Sequence, residues 1–166
     1  MRHLCILLTM LVGFCTGAYA APLPAPTGPV ILTVTGAIQN GNAEGRADFD
    51  RAMLESLGVA ELATSTPWTE GVPVFRGVKA VKLLDALGVT KGTLKATAIN
   101  DFSVDIDVAD LRQYDALLAW EQDGHELRVR DRGPLWIVWP RDQVPELRDE
   151  ADNAKWIWQL KALEVR

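Results

Sequence analysis

The sequence predicts an α+β fold, a compact domain of mixed sheet and helix with more strand than helix. Three observations lead there. Alternating apolar and polar stretches are interleaved with stretches of helical spacing, without the steady strand–helix–strand rhythm of a doubly wound sheet. No Gly-rich turn of the dinucleotide-binding kind is present. The chain has 166 residues and no internal repeat, which is one domain's worth of sequence.

The first twenty residues read as a secretory signal: a basic start, the apolar run ILLTMLVGF, and Ala18-Tyr19-Ala20 as a small-x-small cleavage site. Phe14 before Cys15 does not suit a lipoprotein signal, so an unanchored periplasmic product is expected. Without residues 1–20 the chain has 146 residues, charge -6 in place of -5, one histidine and no cysteine. That excludes disulfides, thiolate nucleophiles and Cys-rich metal sites. The acidic balance argues against a nucleic-acid partner, and no later apolar run reaches the roughly 20 residues of a membrane span.

Residues 21–29, APLPAPTGP, form a Pro-rich arm, and 30–166 the folded domain. Val30–Ala37 alternates like a strand. Phe49, Met53, Leu54 and Leu57 fall on one helical stripe, which predicts a helix over Arg46–Leu57 with Asp48, Asp50 and Glu55 in solvent. Thr64–Trp68 is a polar turn. Val78, Val81, Leu84 and Leu87 predict a second helix starting near Gly77 and closing at Gly88. Two strands at 93–99 and 102–108 flank Asn100-Asp101, a pair suited to a tight turn, and the second alternates apolar Phe102, Val104, Ile106 and Val108 with polar Ser103, Asp105 and Asp107. A brief helix over 107–115, a buried strand at 116–120, a hairpin at 121–130, a strand bounded by Pro134 and Pro140, and a closing strand over 154–165 complete the domain.

Six tryptophans are many for so small a domain; most are expected in the core, with at least one lining a groove. Asp131-Arg132 sets an acid and a guanidinium together before a strand, and Asp101 stands at a loop mouth. Each also reads as an ordinary solvated turn residue. His125 is expected as an exposed turn histidine. The acids Asp101, Asp105, Asp107 and Asp110 do not have the spacing of a calcium loop.

TVTGAI, FDRAMLESLG, TSTPW, VFRGVKAVKLLDALG, ATAINDFSVDI, DRGPLWIVWP and WIWQLKALEV, taken in order from Val30 to Val165, resemble the small periplasmic pterin-binding proteins related to the molybdopterin-binding domain of sulfite oxidase. The resemblance implies that domain's fold. In the large enzymes the segment matching Ala98–Ser103 carries the cysteine that ligates molybdenum, where this chain has Ala98. The segment matching Pro134–Pro140 ordinarily has an arginine where this chain has Trp136.

Those departures imply a pterin binder without molybdenum and without enzymatic activity. The expected ligand is neopterin or a tetrahydropterin. The expected partner is the periplasmic domain of an inner-membrane signalling protein that controls cyclic diguanylate and biofilm formation. For the pterin, Asp101 or Asp131 is expected to accept from the ring edge, Arg76 or Arg132 to donate to its oxygen, and Trp68 or Phe102 to stack, with Asn100 and Ser103 nearby. Two alternatives stay open: a molybdenum-cofactor oxidoreductase of the sulfite oxidase class without the thiolate, and an interaction module that has lost every ligand.

Overall fold

A computed structural model describes residues 23–166. The expected signal segment and the first two residues of the Pro-rich arm lie outside the described residues. In chain order the elements are β1 (Leu32–Gly36), β2 (Arg46–Phe49), α1 (Arg51–Ser56), β3 (Val59–Ala63), β4 (Val74–Lys79), α2 (Ala80–Leu87), β5 (Thr93–Ala98), β6 (Ser103–Asp107), α3 (Val108–Gln113), β7 (Leu117–Gln122), β8 (His125–Glu126), β9 (Trp136–Val138) and β10 (Leu160–Val165). Short 3-10 turns occupy Val129–Asp131, Pro145–Arg148 and Glu150–Lys155. The mixture of sheet and helix agrees with the predicted fold class.

The strands form two sheets. One runs β2-β1-β10-β5-β6; the other runs β3-β4-β7-β8, with β9 also paired to β7. All neighbours are antiparallel except β1 and β10, which pair in parallel from Thr33↔Ala162 to Gly36↔Val165. Alternation along the strands sends Val34, Leu94, Leu163 and Val165 of the first sheet inward to meet Leu118 and Ile137 of the second, with Leu83, Leu84 and Leu87 of α2 and Leu111 of α3 packed among them. Burial of these side chains supplies most of the folding drive, since each contributes about 1.5–3 kcal/mol on leaving water.

Three elements depart from the sequence expectation. The helix expected from Arg46 is β2 followed by the shorter α1. Asp48 is held in the sheet by the Thr33 hydroxyl, which donates to its Oδ1 (2.8 Å), and by the Asn42 carboxamide, which bonds its backbone N–H and carbonyl (2.8 and 2.7 Å). Asp50, expected in solvent, is buried: it accepts from Met53 N (2.9 Å) as the N-cap of α1 and from Thr27 N and Gly28 N (2.7 and 2.8 Å) in the arm. These N–H donors hold its carboxyl below the usual carboxylate range.

The second helix begins at Ala80 because β4 runs through Gly77, flanked by β3, a strand not foreseen, and by β7. A β-carbon on Gly77 would run into the backbone of Leu118 and Ala119, so the glycine is there for close strand approach. Finally, the closing strand starts only at Leu160. Residues 156–158 are irregular because they bond sideways to β9, with Ile137 N donating to Ile157 O (2.9 Å) and the Trp136 indole N–H to Trp156 O (2.9 Å).

Gly77→Ala is expected to lower stability by roughly 1–3 kcal/mol through backbone displacement, read by urea denaturation. The lowered Asp50 pKa stabilises the fold above the ordinary carboxylate value, and that stability is lost progressively as pH falls through the lowered folded-state value. Denaturation midpoints between pH 6 and pH 2 should therefore fall less steeply in Asp50→Asn than in the parent, from a lower starting point.

Candidate functional site

A slot of about 380 Å³ opens at one end of the first sheet, between the β5–β6 turn and the irregular chain ahead of β10. Trp68, Trp156 and Trp158 give it aromatic walls, Ala98, Ala154 and Ile157 its small and aliphatic surface, Phe102 a rim, and Asn100 and Asn153 its polar groups. Its volume falls in the range of small-molecule sites, about 300–1,000 Å³. Among the described side chains, none that lines it is ionisable.

The walls are held by edge-to-face packing and hydrogen bonds. Trp68 meets Trp158 at 5.1 Å and 82° and Trp156 at 6.1 Å and 64°, and Trp136 stands behind, 6.2 Å from Trp158. The Arg132 guanidinium lies 5.3 Å from the Trp136 ring centre and 5.8 Å from that of Trp158, and donates to Trp68 O (3.1 Å). The Trp68 loop is fixed from its other side by Asp142, which accepts from the Ser65 backbone N–H and hydroxyl, both at 2.6 Å. Those two bonds hold the Asp142 carboxyl below the usual carboxylate range.

Three of the five left-handed non-glycine residues among the described residues stand next to slot residues. Asp101, Arg132 and Gln159 are all left-handed, with φ of 66°, 73° and 51°. For non-glycine residues this costs of order 1–3 kcal/mol each, and such strain clusters at binding sites. Asp101 N donates to Ala98 O in the slot wall, and Gln159 bonds Arg132 O through its N–H and Ile99 N through its carbonyl, at 2.8–3.0 Å.

Of the residues expected at the site, the structure gathers Trp68, Asn100 and Phe102 into the slot. Asp131 and Arg132 line a neighbouring, more open cavity of about 650 Å³ with Arg128, Arg130, His125 and Gln159, and Trp158 is shared by both cavities. His125 is exposed there, in β8. Asp131 is engaged by Arg128 at 2.7 Å. Asp101 projects into solvent and pairs with Lys161 at 2.7 Å; Lys161 reaches it from a register shift between β10 and β5, and the contact lowers its pKa. Arg76 pairs with Glu121 (3.5 Å) across β4 and β7, and Ser103, exposed on β6, lines neither cavity. Asn153 and Trp158 were missed as site residues: they lie in chain without periodicity, and only the concentration of tryptophan at 156–158 pointed to that segment.

Three or more His, Cys, Asp or Glu side chains are nowhere grouped to hold a metal ion among the described residues. Ala98 stands in the slot wall, and both cysteines, Cys5 and Cys15, lie outside the described residues.

Comparison with known proteins gives likenesses of two kinds. A family model described as "Oxidoreductase molybdopterin binding domain" matches residues 42–165. Among solved structures, a chain of the sulfane dehydrogenase SoxCD from Paracoccus pantotrophus matches with TM-score 0.58 and 16% identity over 81% of this chain and 37% of that one. The present chain thus spans little more than a third of the length of that chain, and the likeness is one of fold. No curated protein matches.

The family match corrects two expectations. A chain expected to be no enzyme matches an oxidoreductase domain model, and the expectation of a pterin without molybdenum conflicts with a family described by molybdopterin binding. The physical reason is that Ala98 in place of a cysteine removes one protein donor only, whereas molybdopterin carries sulfur donors of its own.

Asp142→Asn should loosen the Trp68 loop by weakening the Ser65 bonds. Tryptophan emission of the variant is expected to shift to the red at neutral pH. The parent should make the same shift only as acid protonates Asp142, below the ordinary carboxylate range.

Proposed function

Since the chain belongs to the oxidoreductase molybdopterin-binding domain family, we propose that it binds a molybdopterin-type cofactor by its pterin ring in the slot beside Ala98 and serves an oxidoreductase reaction there. The observation that carries this reading is the uncharged aromatic slot itself, bordered by one guanidinium.

The residues fit the organic part of such a cofactor. Trp68, Trp158 and Phe102 offer ring faces and edges to a flat heterocycle and keep water from it, and Asn100 and Asn153 offer donors and acceptors to its polar edge. Arg132, half-buried against two indoles and paired with no carboxylate among the described residues, has N–H groups left for an oxygen of the ligand. The described residues supply no thiolate, so they bind and orient the group through the ring. When bound, the cofactor supplies a redox-active metal on its own sulfurs.

The signal-like segment 1–20 supports export, and we place the working protein in the periplasm on that ground. A second reading is favoured by Ala98 and by the exposed apolar side chains of Phe102, at the slot rim, and of its near neighbour Ile99. In it the occupied slot is presented to the periplasmic domain of an inner-membrane signalling protein.

The test is native mass spectrometry with metal analysis of protein produced in a host that makes molybdenum cofactor. A pterin with molybdenum, retained by the parent and lost in Ala98→Phe, is the expected result. Protein that emerges free of pterin, with a melting temperature unmoved by added cofactor, would overturn the reading. Trp68→Ala is expected to weaken retention by about 0.5–1.5 kcal/mol, the usual worth of an aromatic contact.

A further inference from the structure

Because the described side chains that line the slot are uncharged, recognition of a ring edge there falls, among them, to its two carboxamides. Asn100 is half committed: its Oδ1 accepts from Phe102 N (3.2 Å), which leaves its Nδ2 as a donor. Asn153 is uncommitted. Its backbone carbonyl accepts from Trp156 N (3.2 Å) within the last 3-10 turn, while its side chain bonds nothing among the described residues. Two described carboxylates near the slot are engaged elsewhere, Asp101 with Lys161 and Asp131 with Arg128.

A carboxamide presents one acceptor and one donor side by side in a plane, which is the complement of a lactam edge with its N–H and C=O. A carboxylate presents two acceptors and would repel the lactam oxygen. We infer that Asn153 reads the lactam edge of the bound ring, pairing its Oδ1 with the ring N–H at position 3 and its Nδ2 with the 4-oxo oxygen, with Asn100 as a single additional donor, so that the slot selects an uncharged lactam ring. This rests on the slot being the pterin site, as proposed above.

Two consequences separate this from non-specific stacking. The ring N–H must be present, so a ring methylated at N3 or deprotonated there loses the pair. Since none of the described side chains lining the slot is ionisable, a fall in affinity at alkaline pH is expected to follow the titration of the ligand.

The experiment is a titration of the purified protein with pterin and with 3-methylpterin, followed by quenching of tryptophan emission, for the parent, Asn153→Ala and Asn153→Asp. Pterin should bind the parent about tenfold more tightly than 3-methylpterin, the size of a loss of one or two neutral hydrogen bonds. Asn153→Ala should bind both equally, and Asn153→Asp should bind pterin more weakly than Asn153→Ala does. Equal affinity of the parent for the two ligands overturns the inference and leaves the slot assignment standing. Absence of pterin binding to the parent overturns both. Should the variants fail to fold, the comparison of the two ligands on the parent decides the matter alone.

Discussion

The structure depends on a seam between two segments, 132–139 and 155–160. Five hydrogen bonds cross it: the Trp136 and Trp139 indoles donate to Trp156 O and Lys155 O, Ile137 N to Ile157 O, Leu160 N to Leu135 O, and Gln159 N to Arg132 O, all within 2.9–3.0 Å. One segment contains β9, in the second sheet; the other leads into β10, at the centre of the first. The seam therefore joins the sheets where the slot opens. Buried N–H and C=O groups left unpaired cost about 1–3 kcal/mol each, so irregular chain at this depth persists only because its partners are present.

Most features of the site follow from the seam. It turns Trp156 and Trp158 into the aromatic cluster and brings Asn153 and Ala154 to the slot. It also sets Arg132 in a left-handed conformation, with its guanidinium over Trp136 and Trp158 and bonded to Trp68 O. Trp68 is then held from two sides, by Arg132 and, through Ser65, by Asp142. The result is a recess whose described lining is uncharged, with Arg132 at its border. Such a recess binds a flat polar heterocycle through its faces and one edge, and leaves ion pairing to groups outside the ring plane.

Much of this was legible in the sequence where periodicity or turn chemistry acts locally. The hairpin of β5 and β6, its Asn100-Asp101 turn, the strand between Pro134 and Pro140, and the stop of α2 at Gly88 all have their cause within a few residues. β2 and β4 were hidden because each leads within a residue or two into a helix, and Phe49 and Val78 stand at spacings that also extend the helical stripe, so tertiary pairing decides between the two. The function of Gly77 is visible only once Leu118 is seen against it. At the site, the aromatic and Asn100 contributions were foreseeable from residue type. The positions of the acids were not, since the pairing of Asp101 with Lys161 depends on an irregularity in a strand sixty residues away. The missing cysteine was read as the loss of the metal and of catalysis, and the family relationship corrects that inference, because one absent ligand does not remove a cofactor held through its organic part.

The central claim is that one slot, formed by the seam, holds the pterin. A crystal structure of the protein bound to its cofactor tests it most directly. The account predicts a flat ring beside Ala98, between Trp68, Phe102 and Trp158, with its polar edge towards Asn153. A ring found elsewhere, with the slot closed by its own tryptophans, would contradict it.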